Sequence, residues 1–182
     1  VLLSVLAPLL TDYDPNRSNL RNRNLPPSGE HLLGTDDMGR DILARTLYGG
    51  RISLSVGLVS VGISLSIGVI LGATAGFFGG MVDTVIMRIA DVFYSFPFMI
   101  LAITISSIFG PSIYNTMIIL GVLSWPSSAR LLRAEFLKLK STDFSLAATA
   151  LGANPTRVMF RHILPNAISP LLVSATLGVA SA

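Results

Sequence analysis

The sequence contains no cysteine and few charged residues. Without cysteine, its 182 residues hold no disulfide, no thiolate metal ligand and no cysteine nucleophile. Only 13% of the residues are charged, against about 25% in typical soluble proteins, while 51% are hydrophobic. This balance excludes an intrinsically disordered chain and argues against an ordinary soluble domain.

Charge is absent from three long stretches of the chain. No Asp, Glu, Lys or Arg occurs in residues 52–82, 92–129 or 163–182. About 20 consecutive apolar residues are enough to cross a bilayer. Gly110-Pro111 interrupts the middle stretch, so we expect two helices of about 18 residues there, joined by a tight turn. Residues 1–10 resemble the end of a further span, and the whole pattern predicts an all-α polytopic membrane protein with five spans, two of them partial.

The connections between these spans divide between two sides. Residues 11–51 form one side, where Thr35 or Asp36 is expected to cap a helix that lies along the membrane surface. Residues 79–91 and 130–162 lie on the other side. Six basic residues on the first side and seven on the second leave the orientation undecided by the positive-inside rule.

The other polar residues of the connections have no ligand-binding pattern. Asp36, Asp37 and Asp41 lack the D-x-D-x-D-G spacing of a calcium loop, so no metal site is predicted. His31 is expected to be solvated, and His162 is expected to contact a neighbouring residue.

Residues 79–91, GGMVDTVIMRIAD, predict a short interfacial helix. Arg88 is three residues from Asp91 and five from Asp83, so only the pair Arg88–Asp91 is placed for a helical ion pair. Pro97 is expected to kink the start of the span that follows.

Glycines recur along the first long uncharged stretch. Gly68, Gly72 and Gly76 are four residues apart and share one helix face, where a second backbone can approach closely. This spacing favours a helix packed inside a bundle, and static packing and a sliding or rocking interface both remain open. The spans contain no Asp, Glu, Lys or Arg, which argues against a proton relay, a voltage sensor or coupling to ions through buried carboxylates.

Residues 130–162 begin with the signals of a short helix. Thr142 is suited to N-cap a helix over residues 144–151, with Asp143 at the positive end of the helix dipole. Gly152 suits the left-handed position just after the helix.

Asn154 and Pro155 then predict a second helix, as an N-cap and a first-turn proline. Ala147 and Ala148 carry almost no side chain, which gives the first helix a smooth face. Such a helix is either a knob that docks on another protein or a solvated loop. A DNA-binding helix-turn-helix is excluded because the flanking spans leave no room for a third supporting helix, so no nucleic-acid partner is expected.

Several segments resemble one known family. Ala147-Ala148, three further residues and Gly152, followed by ILPN at residues 163–166, resemble the EAA loop of permease subunits of bacterial ABC importers. Four segments are similar to the C-type permease subunit of dipeptide and oligopeptide importers: HLLGTDDMGRDILARTLYGGRISLSVG from residue 31, FFGGMVDTVIMRIADVFYSFP from residue 77, SWPSSARLLR from residue 124 and FRHILPN from residue 160. Their order along the chain makes the resemblance specific.

The resemblance implies an ABC importer permease fold of six spans in the bacterial cytoplasmic (inner) membrane, with residues 11–51 outside and residues 130–162 inside. Both ends of the chain lie in apolar segments and no initiator methionine is present, so we expect a fragment with about five spans and a transmembrane permease domain over residues 52–182. The implied partners are a second homologous permease subunit, two ATP-binding subunits, an extracytoplasmic substrate-binding protein and the lipid bilayer. ATP and Mg would bind to the partner subunits, and no cofactor to this chain.

The resemblance also implies a coupling helix near residues 144–152 that inserts into a cleft of an ATPase subunit. The coupling-loop residues carried over from the match are Asp143, Phe144, Leu146, Ala147, Ala148, Gly152, Ala153, Asn154 and Pro155. Two positions depart from the family pattern, since Leu146 stands at the glutamate position and Thr149 where a basic or polar residue is often found. The two alanines and Gly152 preserve the expected shape.

Motifs for covalent chemistry are missing from the sequence. It has no G-x4-G-K-[ST] phosphate loop, no H-E-x-x-H and no G-x-S-x-G, so no catalytic residue is named and no enzyme activity is expected. The predicted function is the translocation-pathway subunit of an ATP-driven importer of dipeptides or oligopeptides. The alternatives are the same role for nickel chelates, glutathione or another small solute, and a non-transporting membrane scaffold. Substrate-binding residues stay unassigned, because Ser106, Ser107, Asn115 and Thr116 could equally serve packing.

Overall fold

The computed structural model describes residues 1–181, and these residues are mostly helical, with no strand beyond one isolated bridge between Thr35 and Asp41. The prediction of an all-α protein is therefore confirmed. The helices are α1 (Leu2–Val5), α2 (Ala7–Leu10), α3 (Ile42–Phe78), α4 (Gly80–Ser95), α5 (Phe98–Phe109), α6 (Ile113–Lys140), α7 (Asp143–Ala150), α8 (Pro155–Arg157) and α9 (Leu164–Ser181). A 3-10 turn covers Leu20–Asn22, and a π-helical turn covers Val158–Ile163.

The chain forms two compact units, an N-terminal unit over Val1–Ser55 and a C-terminal unit over Val56–Ala182. In the N-terminal unit, residues 1–10 form two one-turn helices that are separated at Leu6. The sequence pattern predicts a boundary between the external loop and the transmembrane domain after residue 51, which is four residues before the boundary between the two units.

Two helices are long and apolar enough to cross a membrane. They are Ile42–Phe78, of 37 residues, and the continuous helix Pro155–Val179, of 25 residues. A third crossing is present if α4 and α5, which meet at an angle of 87°, together form one broken span. The described residues thus establish an integral membrane protein with fewer unambiguous crossings than the five that were predicted.

Helix α3 differs from the prediction of a separate surface helix before the membrane. Residues 42–78 form one helix that continues through Arg51, because no proline interrupts them and a single charged side chain does not break backbone hydrogen bonding. At 1.5 Å per residue this helix is about 55 Å long, which exceeds the roughly 30 Å of a bilayer core.

The stretch over residues 92–129 also differs from two helices of equal length. Phe96 is extended, as the residue before a proline prefers to be, so α4 ends at Ser95 and α5 begins only after Pro97. Helix α5 has 12 residues and α6 has 28. The predicted kink at Pro97 is confirmed by the bend between α4 and α5, and the predicted turn is present at Gly110, whose φ is +81°.

The core of the C-terminal unit is centred on α6. Phe136 and Leu132 of α6 are fully buried, and they pack in one cluster with Ile163, Ala167 and Ala73. A second cluster surrounds Trp125, also of α6, whose ring meets that of Phe93 edge to face at 5.5 Å between centroids. Helix α6 therefore joins the elements on either side of it into one packed unit.

Candidate functional site

The loop between α6 and α9 contains the short helix α7 and the turn that ends it. Gly152 has a φ of +81°, its N–H donates to the Thr149 carbonyl at 3.0 Å, and the N–H of Ala153 donates to the Ala148 carbonyl at 3.1 Å. These two bonds form a Schellman motif, which satisfies carbonyls at the helix end. The predicted helix, and the left-handed residue that ends it, are both present.

The next helix begins as its sequence predicted. The Asn154 side chain accepts a hydrogen bond from the N–H of Arg157 at 2.9 Å, and Pro155 occupies the first turn. His162 lies further on, in the π-helical turn, and its backbone carbonyl accepts a bond from the Asn166 amide at 2.7 Å.

The start of α7 differs from the predicted cap. Thr142 occupies the N-cap position with an extended backbone, but its hydroxyl donates back to the Leu139 carbonyl and caps no N–H of α7. Ser145, which the sequence analysis did not single out, has only 1% of its surface exposed, and its hydroxyl donates to the same Leu139 carbonyl at 2.8 Å. Two hydroxyls therefore fasten α7 to the end of α6.

The predicted coupling-loop residues divide into an inner and an outer group. Ala148 and Ala153 are half-buried and pack against the core cluster of the C-terminal unit. The others are exposed: Asp143, Phe144, Leu146, Ala147, Gly152, Asn154 and Pro155. The exposed fraction is 41% for Phe144, 56% for Leu146 and 89% for Leu151, so α7 and its C-cap expose three large apolar side chains.

Two ion pairs connect α4 to α6. Both nitrogens of the Arg133 fork donate to the Asp83 carboxylate, with Nη2 at 2.5 Å from Oδ2. Arg130 donates to Asp91 at 2.5 Å and lies over the Tyr94 ring at 4.4 Å. The carboxylates and their partners are 50 and 39 residues apart in sequence, so no local pattern indicates them.

Arg88 and Asp91, whose spacing suits a helical ion pair, do not pair with each other. Asp91 is taken by Arg130, and Arg88 is exposed with no carboxylate partner in the part of the chain that the structure describes. The helical spacing was adequate, but an arginine from a neighbouring helix forms a closer contact that local spacing does not reveal.

The prediction that His31 is solvated is wrong. Only 5% of His31 is exposed, and its Nδ1 is 2.9 Å from Oδ2 of the buried Asp41. The other oxygen of Asp41 accepts the N–H of Ala44 at 2.7 Å, so this carboxylate caps α3. Burial of the pair follows from the folding of residues 11–41 over it, which periodicity does not predict.

Neither Thr35 nor Asp36 caps a helix. The Asp36 carboxylate accepts the N–H groups of Met38 and Arg40, each at 2.9 Å, and closes a turn ahead of α3. Burial raises the pKa of Asp36, but these backbone bonds and the Arg40 guanidinium outweigh it and hold the pKa below its ordinary value of 3.8.

Gly68, Gly72 and Gly76 of α3 lie against α6. A Cβ added to Gly72 would be 2.5 Å from the Ala129 carbonyl oxygen, and one added to Gly76 would be 2.6 Å from Cβ of Phe136. Gly68 is equally close to Ser128. The backbones of the two helices therefore approach each other without intervening side chains along this face.

The polar groups left unassigned by the sequence stabilise local structure. The Asn115 amide donates to the Phe109 carbonyl at 2.9 Å across the turn between α5 and α6. Ser107 and Thr116 each donate to a carbonyl of the preceding turn, those of Thr104 and Ser112.

Comparison with known proteins identifies a family that shares this part of the chain. The family model for the binding-protein-dependent transport system inner membrane component matches residues 68–182, a range that contains the α3–α6 contact, both ion pairs and α7. The chain belongs to this family.

Curated relatives match over the whole chain. This transport component is 43% identical to the dipeptide transport system permease protein DppC of Alkalihalophilus pseudofirmus and 39% identical to the oligopeptide transport system permease protein OppC of Bacillus subtilis. It is 40% identical to the dipeptide transport system permease protein DppC of Haemophilus influenzae. The chain spans 60%, 60% and 63% of the lengths of these three relatives.

Proposed function

We propose that this chain is part of the membrane-spanning subunit of an ATP-driven importer of dipeptides or oligopeptides, and that α7 couples it to an ATP-binding subunit. The names of the similar permeases support the peptide substrate. The chain itself carries out no covalent step in this proposal. It forms part of the translocation pathway and changes conformation when the ATP-binding subunit hydrolyses ATP.

The observation that carries the proposal is a firmly held helix whose large apolar side chains are exposed. Phe144, Leu146 and Leu151 expose 41%, 56% and 89% of their surfaces. Protein interfaces are anchored by apolar and aromatic side chains that enter pockets of the partner. Leu146 stands where the family pattern has a glutamate, so this contact would be apolar rather than charged.

The base of α7 suits a helix that transmits force. Ser145 and Thr142 tie it to the last turn of α6, and Ala148 packs into the core beside Val158 and Met159. A displacement of α7 would therefore move the ends of α6 and α9 instead of being absorbed by a loose loop.

The ion pairs extend this connection beyond α6. Asp83 and Asp91 hold α4 to α6 through Arg133 and Arg130. Lys140, at the end of α6, donates to the Phe77 carbonyl of α3 at 2.6 Å. In this proposal, motion received at α7 reaches four helices, α3, α4, α6 and α9.

The remaining partners complete the proposal. They are a second homologous permease subunit, a pair of ATP-binding subunits that hold ATP and Mg, and an extracytoplasmic substrate-binding protein. The assembly would lie in the inner membrane of a bacterium, with this subunit crossing the bilayer several times and α7 on the cytoplasmic side.

The test is a charge placed on the outer face of α7. In the full-length protein, Ala147→Asp should release the ATP-binding subunits on purification in mild detergent and reduce ATP-driven dipeptide uptake about tenfold or more, which corresponds to about 1.4 kcal/mol. Ala147 is exposed, so the change does not disturb the core, whereas the half-buried Ala148 would confound docking with folding.

The matched control is Ala134→Asp, the same change at an exposed position of α6. It should keep both the ATP-binding subunits and the uptake. Normal uptake by Ala147→Asp would contradict the coupling role of α7. A purified assembly that moves no solute and binds no ATPase would instead support the scaffold alternative.

A further inference from the structure

A cleft lined by hydroxyl groups lies among the helices of the C-terminal unit. Its volume is about 620 Å³, within the range of roughly 300–1,000 Å³ of small-molecule sites. Helices α3, α5, α6 and α9 form its walls. Its polar lining consists of six serines: Ser60, Ser64, Ser124, Ser127, Ser128 and Ser174.

Three of these serines join the helices that line the cleft. The buried Ser60 donates its hydroxyl to the Met117 carbonyl at 3.0 Å, and Ser64 bonds to Ser128 at 3.2 Å. These bonds join α3 to α6 and fix the position of the polar surface.

The serines nearer the surface retain hydrogen-bonding capacity. Ser124 donates to the Leu120 carbonyl at 2.7 Å, and Ser127 donates to the Ser124 carbonyl at 2.9 Å. A hydroxyl has one donor and two acceptor lone pairs, so each of these groups can still accept a bond from a solute. No charged residue lines the cleft.

The arrangement differs from serines that lie singly on a helix. Ser66, also on α3, is exposed and bonds only to the Gly62 carbonyl of its own helix. In the cleft, hydroxyls from three helices converge on one concave space. Acyl chains gain nothing from such a surface, whereas a solute with repeated N–H groups gains hydrogen bonds from it.

Proline occurs in three of the four walls. Pro126 lies inside α6, Pro170 lies inside α9, and Pro97 precedes α5, whose residues Phe98 and Met99 line the cleft. A proline has no N–H to donate to the carbonyl four residues earlier, so a helix bends more easily there. The cleft can therefore change its width around solutes of different size.

We propose that this cleft is the section of the translocation pathway that holds the main chain of a passing peptide, an inference that rests on the proposed function. The Ser124 and Ser127 hydroxyls accept bonds from peptide N–H groups, which every peptide carries, and Met99 adapts to the side chains because its thioether is flexible. Uncharged walls avoid selecting peptides by the charge of their side chains.

The experiment uses single cysteines, since the 182 residues contain none of their own. Ser127→Cys is introduced into the full-length protein, cleared of any cysteine elsewhere and assembled with its partners in liposomes. A hydrophilic thiol reagent is added during ATP turnover, with and without a transported dipeptide. The matched control is Ser66→Cys, an exposed serine outside the cleft.

The peptide should slow the labelling of Ser127→Cys about tenfold at ten times its dissociation constant, because the free fraction of the site falls as 1/(1 + [L]/Kd). Labelling of Ser66→Cys should not change. Ser127→Ala should raise the KM for dipeptide uptake, whereas Ser66→Ala should leave this KM unchanged.

Equal labelling of Ser127→Cys with and without peptide, in liposomes that do transport the peptide, would overturn the cleft assignment and leave the proposed function intact. Liposomes of the unmodified assembly that take up no peptide would overturn both. Protection by a metal chelate but not by peptide would overturn the peptide assignment.

Discussion

Arg133 and Arg130 make similar contacts with carboxylates but in different surroundings. The Arg133 and Asp83 side chains are 33% and 17% exposed, whereas those of Arg130 and Asp91 are 46% and 51% exposed. The first pair is also bidentate, which adds geometric specificity. The two arginines should therefore contribute unequally to the packing of α4 on α6.

We expect Arg133→Gln to destabilise the protein by about 1–2 kcal/mol, because it leaves a mostly buried carboxylate without its partner. Arg130→Gln should cost roughly 0.2–1 kcal/mol, as exposed ion pairs do. Chemical denaturation of the full-length protein in detergent measures both. Equal losses, or a larger loss for Arg130→Gln, would show that burial does not set the strength of these pairs.

At the scale of elements, the contact between α3 and α6 depends on missing side chains. Gly72→Ala would place a Cβ 2.5 Å from the Ala129 carbonyl oxygen, and the backbone cannot yield without separating the helices. We expect a loss of about 1–3 kcal/mol, the usual cost of overpacking, measured by thermal unfolding in detergent.

Gly62→Ala is the control on the same helix, since no atom lies within 4 Å of the added Cβ, and alanine favours a helix over glycine. Peptide uptake by the two variants also distinguishes a sliding interface from a static one. If the interface slides during transport, Gly72→Ala should lose more peptide uptake than its fraction of unfolded protein accounts for. If the interface is static, the two losses should be equal.

Local signals in the sequence predicted elements better than they predicted contacts. Gly152 and the Asn154-Pro155 pair determine backbone conformation within a few residues, so the turn after α7 was predictable. Burial of His31 with Asp41, and pairing of Asp83 with Arg133, depend on how distant segments fold together. Arg51 led to the wrong prediction of a separate surface helix for a different reason. A charged residue marks the edge of a membrane but does not end a helix, so α3 continues through it.

At the scale of the whole molecule, the two units are stabilised by different interactions. The C-terminal unit has an apolar core that includes Phe136, Leu132 and Ile163. In the N-terminal unit, the buried residues include the polar His31, Thr35 and Asp41. We therefore expect the N-terminal unit to open first, and we expect its turn at Asp36 to respond to pH.

The pH response has a definite sign. The pKa of Asp36 is lowered in the folded chain, so its contribution to stability is present above its ordinary value of 3.8 and is lost as the pH falls through and below that value. Hydrogen exchange at Met38 and Arg40, corrected for the intrinsic pH dependence of exchange, should show protection that declines toward pH 3.8 and below.

Asp36→Asn should lower that protection at neutral pH and remove its decline in acid. Exchange at the buried positions of α6 should be unaffected over the same range. Protection at Met38 and Arg40 that stays constant through the acid range would show that the Asp36 turn is held by other groups.

The wide π-helical turn at Val158–Ile163 sets the rotational phase of everything that follows it. Such a turn holds one residue more than an α-helical turn. Rewinding this turn as ordinary α-helix, with all of its residues kept, would rotate the side chains beyond it by about 100° around the axis, since an α-helix has 3.6 residues per turn. Ser174 would then point away from the serine-lined cleft, so a change of helical winding beside the coupling loop can alter the chemical character of a cleft wall about a dozen residues away.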